Sequence, residues 1–423
     1  MPAIQLGYGR GTIKFEYDSA RFAILTSPES NRSRLSDAEI SAALDTPIDC
    51  RPLDEVIEPD QTVLMVTSDA TRATGSAHII NVLVRRLIEH GVAPADMAII
   101  FATGIHRPVL PDEKVELLTS FIAQRIRTID HNAYDKSSLI EIGSNAEGLP
   151  IEVNRALKEF DKVIVTGGIS FHYFAGFTGG RKAICPGLAS ADTIRATHML
   201  ALDFARGGRR LGVGPGALIG NAVNEECEHV TSLIEPAFSI NTIVTDRGEP
   251  ENIFVGHWRT AHRRGCETYT ANHSLTTPEK REVVVVSCGG SPYDINMIQA
   301  HKALDMAAQA CVPGGTIVLV AECSDGLGRS DFLQWFGEPD SRSLENRLRA
   351  GYEVNGQTAW ALLTKTETFR VQIVTNLDDV TVKQMRMVPA QSLEEAMADV
   401  PRHAMGFIMP HGAAFLPVVK QSC

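Results

Sequence analysis

No apolar run in this sequence approaches the roughly 20 residues needed to cross a bilayer, which excludes a membrane-spanning helix. The N-terminal stretch MPAIQLGYGRGTIKF lacks the basic start and apolar core of a secretory leader. No C-x-x-C pair occurs: eight cysteines are scattered over 423 residues, the pattern of reduced thiols, so a cytoplasmic location is expected. An excess of positive charge is also missing. The formal net charge of −11 argues against nucleic acid or an anionic membrane surface as a partner. There is no internal repeat and no low-complexity tract.

Several signatures fail on single residues. A phosphate-cradling loop needs glycine before its lysine and Ser or Thr after it, but Arg181 and Ala183 flank Lys182. The run GVGPGALIG (212–220) carries Ala217 where a dinucleotide fingerprint requires its third glycine. No H-E-x-x-H occurs and no paired Cys and His set at zinc-ligand spacing is present, and NAVNEECE (221–228) lacks the calcium-loop pattern.

What is present is a series of short β-branched runs that end in small, polar or histidine residues. They are VLMVTSDATR (63–72), MAIIFATGIHRP (97–108), KVIVTGGISFH (162–172), NTIVTD (241–246), VVVVSCGG (283–290), TIVLVAECSDGLG (316–328) and VQIVTNL (371–377). Runs of this length bounded by turn residues suit parallel strands buried on both faces. Between them SAHIINVLVRRLIEHG (76–91) carries a 3.6-residue apolar stripe and stops at Gly91. Alternating strand and helix implies an α/β protein: two α/β domains with mainly parallel sheets and an active-site cleft between them. The polar segment ETYTANHSLTTPEKR (267–281) reads as the linker. The expected domains are 1–275 with a returning tail, 406–423, and 280–402.

Ligands of open α/β sheets bind outside the carboxyl ends of the strands, so the residues there carry weight. The first run ends in Asp69-Ala70-Thr71-Arg72, the second in Gly104-Ile105-His106 and the third in Ser170 and His172, followed by Lys182 and His198. The second set of strands offers Asn296, Gln299 and Lys302. Each has an ordinary reading when taken singly. Asp69 suits a helix cap, Arg72 and Lys182 suit surface charges, His172 a satisfied core histidine, and His198 a solvated helix face. Gln299 and Lys302, three apart, share a helical face with or without a ligand. Cys185, between Ile184 and Pro186, suits a buried structural thiol.

Taken in order, SDATR (68–72), ATGIHRP (102–108), HYFAGFTGGRKAICPG (172–187), RATHM around His198 and NMIQAHK (296–302) resemble the lactate racemase family, which uses a nickel-pincer nucleotide. The resemblance runs across nearly the whole chain. It implies a 2-hydroxy acid racemase or epimerase working by reversible hydride transfer through a 2-oxo acid. The cofactor would be Ni(II)-pyridinium-3,5-bisthiocarboxylic acid mononucleotide, linked covalently to Lys182, with His198 as the protein ligand to nickel. His106 and His172 would be the two proton carriers. Asp69, Ala70, Thr71 and Arg72 would hold the cofactor, and Arg72, Gln299 and Lys302 the substrate. Its partners would be the proteins that synthesise the cofactor and insert nickel. A non-catalytic cofactor carrier would need Lys182 and His198 but not both His106 and His172.

The chemistry is coherent with these residue types. The α-hydrogen of a 2-hydroxy acid is a very poor acid because the adjacent carboxylate opposes a carbanion. Removal as hydride avoids the carbanion, and the planar 2-oxo acid accepts hydride on either face. Opposite enantiomers present their hydroxyls in opposite directions, so two bases are required, and histidine titrates near neutrality. Two departures from the family pattern bear on the substrate. Ile298 stands where an aromatic residue precedes the glutamine, and Gly356 aligns with a pocket tryptophan, with Trp360 close by. Loss of aromatic bulk favours a substrate longer than lactate. Arg181, His301 and Arg107, read as spare positive groups, tilt the expectation slightly to malate, with lactate itself as the alternative.

Overall fold

The structure is a computed structural model that describes residues 1–26, 33–70, 72–245 and 247–420. Thr71, one of the expected cofactor-binding residues, lies outside the described residues. The chain separates into two compact units: Glu29–Ala201 with Leu211–Ala271, and Met1–Pro28 with Leu202–Arg210 and Asn272–Cys423.

In the first unit the apolar runs become the strands Val63–Ser68, Met97–Ala102, Lys162–Gly168 and Phe238–Val244. Their continuous burial reflects a sheet covered on both faces, so no in-out alternation marks them in sequence. The six strands run in the order Pro250–Gly256, Phe238–Val244, Lys162–Gly168, Val63–Ser68, Met97–Ala102, Arg127–Asp130. All neighbours are parallel except the first pair. From Val63–Ser68 the chain builds outward through Met97–Ala102 to Arg127–Asp130, then returns to build the other side from Lys162–Gly168. The topological switch point therefore lies between Val63–Ser68 and Lys162–Gly168, where loops leave in opposite directions and open a crevice. The helix Ser76–Glu89 buries Ile79, Ile80, Leu83, Val84 and Leu87 in the core that includes Met65, Ile99 and Phe101. The chain then leaves through Gly91 at φ +106°, a conformation that favours glycine.

The second unit holds an all-parallel sheet in the order Val388–Ala390, Arg370–Val374, Cys311–Val320, Arg281–Ser287, Gly406–Met409, Phe22–Ile24. Its switch point lies beside Arg281–Ser287. The helix that follows that strand, Met297–Ala310, carries Gln299 and Lys302 in its first turns.

Three expectations about boundaries are corrected. The tail strand Gly406–Met409 does not return to the first domain; it pairs with Arg281–Ser287 and Phe22–Ile24 in the second sheet. The N-terminal segment belongs there too, because Leu6, Phe15 and Phe22 share a core with Val283, Val285, Val318 and Ile408. Finally, the polar linker is largely helix and strand. Trp258–His273 is helical, with Trp258, Ala261, His262, Cys266 and Tyr269 buried along one stripe, and Ser274–Thr277 pairs in parallel with Leu416–Val419. The solvent side of that helix carries so much charge that it masks the stripe in composition. Within 202–210, the Gly208 amide donates to the Glu345 carboxylate at 2.7 Å and Arg209 pairs with the buried Asp305 at 2.9 Å, which ties this segment to the second unit.

Candidate active site

At the carboxyl end of Val63–Ser68 the Asp69 side chain is 7% exposed, and its Oδ2 lies 2.7 Å from His106 Nδ1. Asp69 does not cap the next helix, whose N-cap is Gly75. His106 reaches this partner because the strand Met97–Ala102 ends in a tight turn. There the His106 amide donates to the Thr103 carbonyl, and the Gly104 amide donates to Gly187 O at 2.9 Å. Ala70 and Arg72 are exposed on the same loop, and the Arg72 charge is felt at Lys182.

His172 lies on the small antiparallel pair Phe171–His172 and Gly176–Phe177. Its Nδ1 accepts from the Ala175 amide at 3.2 Å. Gly176 sits at φ +77°, and a Cβ there would stand 2.0 Å from Ala217 O, so this bend is restricted to glycine.

The loop then turns inward. Arg181 is 1% exposed. It donates from Nε to Asn224 Oδ1 at 2.7 Å, from Nη2 to Ala175 O at 2.7 Å and from Nη1 to Gly179 O at 3.3 Å. These bonds make it a strut that holds both sides of the bend. Lys182, next in sequence, sits half-buried on a short 3-10 turn. Burial pulls its ammonium down to about 7; Cys227 opposes this, while Arg181 and Arg72 add to it. A substantial fraction of this amine is therefore neutral and nucleophilic near pH 7.

His198 occupies the last turn of the helix Ala191–Met199 and is buried rather than solvated. Burial, helped by the Lys182 charge, lowers its pKa to about 3, so the imidazole stays neutral, the form that ligates metals. Phe174 joins these groups. Its ring meets His172 edge to face at 4.5 Å and His198 at 5.0 Å, and Lys182 Nζ lies 5.4 Å from its centroid. His172, Lys182 and His198 are thus brought around one aromatic ring.

In the second unit Asn296 caps the helix Met297–Ala310 by accepting from the Gln299 amide, and Lys302 Nζ donates to Gln299 Oε1 at 2.5 Å. The pair shares one face, as its spacing predicts.

The three groups expected to be spare cations are all engaged. Arg181 is the buried strut. Arg107 forms a two-pronged ion pair with Glu113 at 2.8 and 2.5 Å. His301 is buried and neutral, with Nδ1 at 2.6 Å from Ile298 O and its pKa lowered to about 4, chiefly by burial. Nor does Gly356 leave a hollow: a Cβ there would lie 2.8 Å from both Leu348 and the Trp335 ring. Cys185 is fully buried, and its thiol pKa is raised by a hydrogen bond with Cys227 and by burial, as suits an inert structural thiol.

Sequence reasoning missed the residues that shape the loop. Asn221 donates from Nδ2 to Phe174 O at 2.9 Å, Asn241 Oδ1 accepts from the Gly180 amide at 2.7 Å, and Asn224 receives Arg181. Only Asn221 left a signal, as an N-cap residue before the apolar stripe of Ala222–Ile234.

The chain matches the family model of the Lactate racemase N-terminal domain over residues 8–207 and that of the Lactate racemase C-terminal domain over residues 276–406. It is 31% identical over 407 residues to the lactate racemase of Lactiplantibacillus plantarum. It is 28% identical over 409 residues to that of Thermoanaerobacterium thermosaccharolyticum, and both alignments cover 94% of each chain. The structure is similar to that of the lactate racemase apoprotein from Thermoanaerobacterium thermosaccharolyticum, with a TM-score of 0.90 at 26% identity, covering 99% of this chain and 100% of that one. A Thermotoga maritima protein shares the fold, with a TM-score of 0.68 at 19% identity over 94% of this chain and 100% of that one. Fold and relatives define an α/β isomerase of the racemase class. The chain belongs to the lactate racemase family.

Proposed function

We propose that this racemase inverts the carbinol centre of a small 2-hydroxy acid through a 2-oxo acid, with His106 and His172 carrying the hydroxyl proton. The observation that carries the reading is the grouping of His172, Lys182 and His198 around Phe174, with Asp69 and His106 on the neighbouring strand ends of the same sheet.

The residues fit a nickel-pincer nucleotide. Lys182 offers a half-buried amine with its pKa at about 7, ready for a covalent link, and His198 a neutral imidazole for nickel. When bound, such a cofactor supplies an electrophile that takes the α-hydrogen as hydride and returns it. The protein's own part is to bind, orient and move protons. Arg72 is exposed on the Asp69 loop, where it can meet an anionic group of cofactor or substrate. Gln299 and Lys302 present an amide and an ammonium suited to the substrate carboxylate. A cofactor carrier would have no use for a histidine held against a buried carboxylate, so the Asp69–His106 pair favours the enzyme.

Because Arg181, Arg107 and His301 are all engaged, the residues support a monocarboxylic substrate such as lactate over malate. The test is to incubate the cofactor-loaded enzyme with single enantiomers of lactate, malate, phenyllactate and gluconate, and to follow each by chiral chromatography. The expected result is faster racemisation of lactate or phenyllactate than of malate. Higher catalytic efficiency with malate would restore a second carboxylate site, and no racemisation of any 2-hydroxy acid would overturn the reading.

A further inference from the structure

We propose that Asp69 and the Ala175 amide hold the two proton-carrying histidines in opposite tautomers, His106 with its proton on Nδ1 and His172 with its proton on Nε2. The functional meaning rests on the reading of His106 and His172 given above, but the tautomers are a property of the protein alone.

A neutral imidazole has one N–H and one lone pair, and its partners decide which nitrogen holds which. When ionised, the Asp69 carboxylate can only accept, so His106 Nδ1, 2.7 Å from its Oδ2, donates to it. That leaves the lone pair on Nε2. The situation at His172 is reversed. Its Nδ1 faces two backbone amides, Ala175 N at 3.2 Å and Phe174 N at 3.5 Å. An amide N–H can only donate, so Nδ1 must accept and the proton resides on Nε2. Exchanging either tautomer would set lone pair against carboxylate at His106, or N–H against N–H at His172.

The two histidines are therefore not equivalent bases. His106 Nε2 is ready to receive a hydroxyl proton. When His106 Nε2 takes that proton, the substrate O–H bond breaks and Nε2–H forms; a bound cofactor would supply the acceptor for the α-hydrogen and its electron pair. The positive charge gained by the ring is matched by Asp69. His172 instead carries its proton on Nε2, the form that donates a hydrogen bond to an oxygen such as that of the 2-oxo acid. To act as a base at Nε2, His172 must first move its proton to Nδ1 and give up the Ala175 amide. Asp69 is thus a positioning residue for His106. The loop geometry at 172–175 makes the enantiomer whose hydroxyl faces His106 the one that reacts without rearrangement.

The test uses the full chain without cofactor, labelled with 15N in its histidine rings and studied by NMR at mildly alkaline pH, where imidazoles are neutral. Signals are assigned by their loss in His106→Gln and His172→Gln. The expected spectrum shows His106 protonated at Nδ1 and His172 at Nε2. Asp69→Asn is expected to remove the Nδ1–H preference of His106 and leave His172 unchanged, and Asp69→Glu to restore it. In the loaded enzyme Asp69→Asn should lower kcat on the order of 10²–10⁴-fold, the scale of general acid–base assistance, with Asp69→Glu partly rescuing it. The same tautomer at both histidines, or a His106 signal indifferent to Asp69→Asn, would overturn the proposal. If instead the tautomers are as stated but the loaded His106→Gln and His172→Gln enzymes racemise normally, the functional reading fails and the tautomer assignment stands.

Discussion

The guanidinium of Arg181 donates from Nε to Asn224 Oδ1 at 2.7 Å in the interior, from the same 3-10 turn that carries Lys182. Adjacent residues of one loop thus differ in role, the arginine holding the bend while the lysine Nζ lies 5.4 Å from the centroid of the Phe174 ring. Asn224→Ala would leave a buried charged N–H without its acceptor, a loss worth about 1–3 kcal/mol. The expected outcome is a lower urea midpoint with an unchanged slope. A midpoint equal to that of the parent would mean that the strut contributes nothing to stability.

Acid should destabilise the protein through its buried histidines. His131 and His301 have their pKa lowered to about 4, and His198 and His262 to about 3, in each case first by burial. All lie below the value of about 6.5 that the unfolded chain shows. The unfolded state binds more protons in that window, so stability is fully present above about pH 6.5 and falls progressively towards about pH 3–4. Urea midpoints measured between neutrality and pH 4 should decline, and His262→Gln should flatten the decline. Equal midpoints across that range would show that these rings are not buried in the neutral form.

Lys182 works over a different window. Its folded pKa of about 7 is depressed from the ordinary lysine value, so its contribution to stability is present in full above about pH 10 and is lost as pH falls through about 7. In cofactor-free protein Lys182→Met should remove that share of the pH dependence. In protein made with the cofactor-synthesis machinery, Lys182→Ala should lack the covalent mass increment, and His198→Ala should retain less nickel. A mass increment that survives Lys182→Ala would place the link elsewhere.

If His106 and His172 both carry the hydroxyl proton, as proposed, His106→Ala and His172→Ala should each slow racemisation in both directions. Losses on the order of 10²–10⁴-fold are expected. A loss below about tenfold at either position would reduce that histidine to a structural role.

The strands, the helix Ser76–Glu89 and the strand-end residues were legible because they depend on local pattern. A run such as VLMV, or the stripe Ile79, Ile80, Leu83, Val84, Leu87, demands burial whatever its neighbours are. Domain boundaries were less legible. Phe22–Ile24 and Gly406–Met409 become neighbours in one sheet although hundreds of residues separate them, and nothing local to either strand names its partner. The polar run 267–281 misled because composition averages over a helix whose buried stripe is narrow.

The sequence by itself determined the α/β architecture, the family, and the placing of Asp69, His106, His172 and Lys182 beside strand ends. Those features reside in apolar runs, turn residues and motif order, all of which are local. Only the tertiary structure decided which charges are available. Arg181, Arg107 and His301 read alike as free cations, yet the first is enclosed by carbonyls, the second is held by Glu113 and the third is buried and neutral. It also set Phe174 among His172, Lys182 and His198 and gave His106 and His172 each its own partner at Nδ1. Desolvation and hydrogen bonding depend on what the folded chain packs around a group, and that is fixed by contacts between segments far apart in sequence.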